Sequence, residues 1–180
     1  MPVVDESDRD MIGRLHSIVF RDREARDIIE TGFDAARQIL DGTEYTLPYS
    51  SFNVSVAPFR KLFPEKQQNF IGLCRVFILR ASERMVRAEI HRNSVQRLVS
   101  YQGNGSIYSA LPGGIDVNFV EYAIQSPSET ISTDIDLSWD IVAANTWHYP
   151  QAAPHADWYT VTFHSADEAD IIDEYWGDDP

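Results

Sequence analysis

Between Arg87 and Gly103 the chain reads RAEIHRNSVQRLVSYQG. Two of its residues are natural cation ligands. Glu89 and His91 stand two positions apart, so on an extended strand both side chains leave the same face. Gln96 follows near the start of what reads as a second strand, joined to the first at Asn93-Ser94. A carboxylate and an imidazole on one face, with an amide arriving beside them, describe either a polar, solvated surface or a metal site. For a metal, the carboxylate supplies charge, a neutral imidazole supplies a nitrogen lone pair, and an amide oxygen is a weak uncharged ligand.

Such side chains need a rigid frame, and the chain after Pro48 has the texture of one. Short apolar runs alternate with turn signals: SFNVSVAPF, FIGLCRVFILRAS, RMVRAEIH, QRLVSYQG, SIYSAL, IDVNFVEYAI, ISTDIDLSWDIVAA and WYTVTFHSA. Turns are expected at Gly103-Asn104-Gly105, Pro112-Gly113-Gly114 and Ser126-Pro127-Ser128. Many short strands at close spacing predict an antiparallel sandwich or barrel. Ahead of it, apolar residues from Ala25 to Leu40 recur at helical spacing and Gly42 stands where that helix would end. Gly32 weakens the middle of the helix. Leu15 to Phe20 reads equally as a strand or a helix start, and segment 62–69 as a loop or one helical turn. The expected organisation is a helical arm over 1–47, a β-barrel over 48–166 and an acidic tail over 167–180. Ile171, Ile172, Tyr175 and Trp176 are spaced for a small docking helix within that tail.

The composition narrows the partners. The 180 residues suffice for one domain with a real core. A formal net charge of −13 disfavours nucleic acid and anionic membrane surfaces. The segment 165–180 holds seven acidic residues and no basic ones, which reads as a solvated end. The single cysteine, Cys74, lies in an apolar run and reads as a small buried hydrophobe. No disulfide can form within the chain, no signal-peptide pattern opens it, and no apolar run has membrane-spanning length, so a cytoplasmic protein is expected. Phosphate loops, zinc-type cysteine pairs and a nucleophilic triad are all missing from the sequence.

A second stretch, WDIVAANTWHYPQA (139–152), resembles the second motif of the cupin superfamily. There an acidic residue leads a strand of alternating apolar residues, a tight turn follows, and a metal-binding histidine comes next. Asp140 leads here, and the stretch runs into His148; Ala144 stands where many cupins have proline. The first cupin motif has two histidines one residue apart, then a glutamate, then a glycine. Setting Gly103 as that glycine puts Gln96 at the glutamate, His91 at the second histidine and Glu89 at the first, without a gap. The glycine that usually precedes the first histidine is missing. The resemblance spans roughly Phe70 to Ser165. It implies a mainly β fold, an antiparallel jelly-roll barrel, and a homodimer, and the helical arm is expected to pack outside that barrel.

Glu89, His91 and His148 are then the expected metal ligands, with Gln96 as a fourth ligand or a hydrogen-bond donor to substrate. Two imidazoles and one carboxylate with open positions form the set of non-haem iron(II) oxygenases. Fe(II) is therefore the expected cofactor, with zinc, nickel and manganese able to occupy such a site. His148 is expected on a strand folded opposite Glu89 and His91. On the strand WYTVTFH, alternation sets Thr160, Thr162 and His164 on one face, making His164 a candidate general base or support for a ligand. Met85 and Arg87 share the parity of Glu89 and His91, and Arg80 is within reach; these three are the expected substrate contacts, and a buried arginine there would suit an anionic substrate. Trp147 and Tyr149 are expected in core packing. His155 falls in a loop, and His16 has no evident partner. The expected activity is a metal-dependent enzyme on a small molecule, most readily an Fe(II) oxygenase. The alternatives are a non-redox isomerase, cyclase or lyase, and a metal-free module that binds a small molecule.

Overall fold

A computed structural model describes residues 6–61, 63–65, 71–111, 118–127 and 135–177. Most of segment 62–69 and the turn at Pro112-Gly113-Gly114 lie outside the described residues. Two helices, α1 (Glu6–Arg21) and α2 (Arg23–Leu40), precede the strands. A helical turn, α3 (Ala57–Arg60), follows β1 (Tyr49–Val54). The remaining strands are β2 (Leu73–Leu79), β3 (Glu89–His91), β4 (Gln96–Gln102), β5 (Asn104–Ala110), β6 (Phe119–Gln125), β7 (Trp139–Val142), β8 (His148–Ala152), β9 (Trp158–His164) and β10 (Asp173–Tyr175). They form two five-stranded sheets, one in the order β1-β2-β9-β4-β7 and the other β10-β3-β8-β5-β6, with every pairing antiparallel.

Side-chain alternation in the first sheet builds two cores. One face, with Val76, Ile78, Val99, Val161 and Phe163, packs with Leu15, Ile29, Phe33 and Ala36 of the helices. The opposite face, with Leu79, Leu98, Val142 and Trp158, meets Ile107, Ile124 and Ala152 of the second sheet. The helical arm thus lies outside the first sheet, as expected. Helix α2 starts where Asp22 accepts from the Ala25 amide at 2.9 Å. Gly32 is no flaw in it: a Cβ there would stand 2.5 Å from Val54 Cγ1, so its bareness lets the helix approach the sheet. Leu15 to Phe20 resolves as part of α1. Gly103, at φ +81, makes the tight turn from β4 to β5. Cys74 is fully buried, and burial pushes its thiol well up.

Asn93-Ser94 joins two strands as expected, and because β3 and β4 belong to different sheets the joint carries the chain across the barrel. Three expectations are corrected. The segment from Ile135 to Ser138 is a helical turn, and the strand begins only at Trp139. The tail forms strand β10 on the edge of the second sheet, Asp173 opposite His91 and Tyr175 opposite Glu89, in place of a small helix. Its alternating Asp173-Glu174-Tyr175 meets an open strand edge that a helix could not satisfy. Trp147 and Tyr149 are only half-buried; Tyr149 stacks on Tyr108, and Trp147 meets Trp176 edge-on. Among the described residues, no helix is long and apolar enough to cross a membrane.

Candidate metal centre

Glu89 and His91 are the two ends of β3, and His148 opens β8. Glu89 and His148 are directly opposed in antiparallel register, and opposed residues share a face. Period two therefore joins Glu89 to His91, and strand pairing joins His148 to both. His148 thus comes from a distant strand folded opposite Glu89, and all three lie on one sheet because β8 returns beside β3.

The three side chains converge. His148 Nε2 lies 3.5 Å from Glu89 Oε1, and His91 Nε2 lies 3.8 Å from it. One donor atom from each residue falls within 4.8 Å of the others. Both rings are held from behind: His91 Nδ1 donates to Asp173 Oδ1 at 2.6 Å, and His148 Nδ1 donates to the Thr146 carbonyl at 3.0 Å. An ionised carboxylate and a carbonyl only accept, so each Nδ1 carries the proton and each Nε2 of a neutral ring presents a lone pair. Both Nε2 atoms are buried without a hydrogen-bond partner. Two lone pairs and a carboxylate oxygen aimed at one point repel unless a positive charge sits there. The separations exceed the ~3.2 Å limit of an N–H···O bond. They lie close to the roughly 3.0–3.4 Å between donor atoms that share an ion at about 2.1 Å. The residues fit a bound metal.

Electrostatics agree. Burial works to raise the Glu89 carboxyl, but the imidazoles facing it, His148 foremost when they are protonated, and the Arg75 cation outweigh it and hold the group below its ordinary value. Asp173 behaves alike: burial raises it, and its bond to His91 more than compensates. Both carboxyls are thus ionised at neutral pH.

Two members of the triad open on a cavity of about 270 Å³ between the sheets. Glu89 and His148 form part of its wall, with Met85 and Arg87 beside them. Gln96 and His164, paired across β4 and β9, face them from the other sheet. His164 is buried, and its ring stands perpendicular to that of His91 at 4.7 Å. Burial, reinforced by the Arg75 cation, presses its basicity well down. Gln96 Oε1 and His164 Nδ1 are buried without partners. Arg80 is elsewhere: it bonds Asp41 at 2.9 Å and the Leu40 carbonyl at 3.1 Å, where a cation suits the end of α2. His155 is exposed at φ 88, and His16 accepts from Trp139 Nε1 at 3.1 Å. Sequence reasoning missed Asp173, Arg75, Tyr49 and Tyr175. Period two in LCRVFIL would have set Arg75 apart from the apolar face of Cys74, Val76 and Ile78. Nothing local marked Asp173.

No protein-family model and no curated protein sequence matches the chain. Solved structures do resemble it. An oxalate oxidase in complex with the substrate analogue glycolate superposes with TM-score 0.51 at 10% identity, covering 73% of this chain and 57% of that one. CapF with an inhibitor gives TM-score 0.51 at 14% identity, over 73% of this chain and 34% of that one. Vicilin from hazelnut, Corylus avellana, gives TM-score 0.51 at 8% identity, over 76% and 35%. The two sheets and these likenesses define the class: this is a cupin-fold, jelly-roll protein. The fold carries a cluster of two histidines and a glutamate suited to a metal ion.

Proposed function

We propose that the protein is a metal-dependent enzyme acting on a small molecule, with Fe(II) as its metal and oxygenation as its reaction. The observation that carries this reading is the convergence of two unpartnered Nε2 atoms on Glu89 Oε1 beside a cavity between the sheets. Bound there, Fe(II) would supply redox chemistry toward dioxygen and Lewis acidity toward a substrate oxygen. Glu89, His91 and His148 would hold it, while Asp173 and the Thr146 carbonyl keep the rings in the ligating tautomer. Gln96 offers its buried amide to the substrate or as a fourth ligand. Phe77, Leu98 and Ile107 line the cavity and exclude water from the reacting groups.

A second reading, a non-redox isomerase, cyclase or lyase, is favoured by His164, a buried imidazole on the cavity wall with an unpartnered nitrogen. Its ring can take up or release a proton at a bound substrate without dioxygen. Turnover that persists under anaerobic conditions would select it.

The test is elemental analysis of protein purified without chelators or added metal, beside His91→Ala and His148→Ala. Near-stoichiometric iron in the native protein, lost from both variants, is expected. Stoichiometric metal retained by both variants, or no metal uptake even after anaerobic iron reconstitution, would sink the assignment.

A further inference from the structure

Arg75 stands on β2 and lines the same cavity as Glu89 and His148. Its guanidinium is gripped at one corner: Nε donates to Asn53 Oδ1 at 2.9 Å. Asn53 is the cross-strand partner of Arg75 and is itself held by Glu168, to which its Nδ2 donates at 2.6 Å. The grip fixes the plane of the guanidinium, and among the described residues nothing bonds its two terminal nitrogens. Among the described residues, Arg75 forms no ion pair. Yet its charge acts on Glu89, His164, Asp173 and Tyr175, so the cation lies beside the ligand cluster.

A half-buried guanidinium that lines a cavity with its terminal nitrogens unbonded among the described residues still has hydrogen bonds to give, and an anion that comes and goes can take them. A planar guanidinium with a fixed Nε presents the two-pronged fork that a carboxylate matches with parallel hydrogen bonds. The surroundings complete a polar end. Thr162 opposes Arg75 across the strands, and the buried Thr160 hydroxyl on the same cavity wall has no partner. With a divalent ion in place, the ion and Arg75 outweigh Glu89 and Asp173, so the cavity is locally positive inside a molecule of net charge −13.

From this arrangement we infer that the substrate is a small carboxylate, its carboxylate docked on the Arg75 fork and its body reaching toward Glu89, His91 and His148. The inference deepens the metal-enzyme reading and rests on it for where the chemistry occurs; the anion site itself rests on Arg75.

Succinate and its neutral isostere succinamide separate charge from shape. Their binding is measured by calorimetry on the metal-loaded and the metal-free protein, with inorganic phosphate alongside and Arg75→Met and Arg75→Lys in parallel. Succinate is expected to bind the native protein at least about tenfold more tightly than succinamide. Arg75→Met should erase the preference without changing metal content, and Arg75→Lys, which keeps the charge and loses the fork, should lose most of it. If Arg75→Met fails to fold, Asn53→Ala, which frees the guanidinium plane, should weaken succinate selectively. Equal binding of succinamide, an unchanged succinate affinity in the Arg75 variants, or tighter binding of phosphate would overturn the inference. A protein that holds no metal but prefers succinate through Arg75 would refute the metal reading and leave this one standing; metal without carboxylate preference would do the reverse.

Discussion

At the scale of single residues, the barrel interior holds one carboxyl that the metal reading does not use. Asp140 leads the second motif and is buried, with no side chain among the described residues bonded to either oxygen. Burial pushes its pKa up to about 6. The folded state therefore binds a proton that the unfolded chain releases from pH 3.8 upward. The associated stability is complete below that value and is lost as pH rises through about 6. The shift corresponds to roughly 3 kcal/mol between the two limits. Asp140→Asn, which cannot ionise, should remove this pH dependence and gain stability over the native protein as pH climbs from 4 to 8. Denaturant melts of both proteins across that range measure it; a stability difference independent of pH would refute the assignment.

At the scale of elements, the strand that matters most to the site is the one hidden in the acidic tail. β10 adds only three residues to the second sheet, but it delivers Asp173 to the back of His91 and Tyr175 to the cavity wall. Asp173→Asn keeps the shape and removes the negative acceptor that makes His91 a stronger ligand, so metal affinity should fall about 10–100-fold with the fold retained. Competition with a metal-binding dye reads this directly; an unchanged affinity would confine Asp173 to strand pairing. The same element marks the limit of what could be read from the chain. Glu89 and His91 were legible because period two is local, and α2 because its apolar spacing is strong. β8 was legible only as a motif, since Pro150 interrupts the pattern of a strand. The pairing of β3 with β8 and β10, which brings His148 and Asp173 to His91, is a long-range register choice that no local period encodes. For the same reason no local pattern shows that Gln96 reaches the cavity from the opposite sheet.

At the scale of the whole molecule, the site couples metal binding to folding. Glu89 and His91 are neighbours in any extended chain, but His148 joins them only once β3 and β8 have paired, and Asp173 only once β10 has closed the edge. The unfolded chain offers no comparable set, so a bound ion stabilises the native state alone. At a free metal concentration of 100 times Kd the gain is about 2.7 kcal/mol. For a domain of this size that amounts to a melting-temperature rise on the order of 5–10 °C. Iron(II) added anaerobically should produce it, a chelator should reverse it, and His148→Ala should be insensitive to both. The helical arm supplies an internal control, because its packing lies on the far face of the first sheet. If metal raised the melting temperature equally in His148→Ala, the ion would be acting on surface carboxylates of this acidic chain, and the internal site would lose its thermodynamic signature.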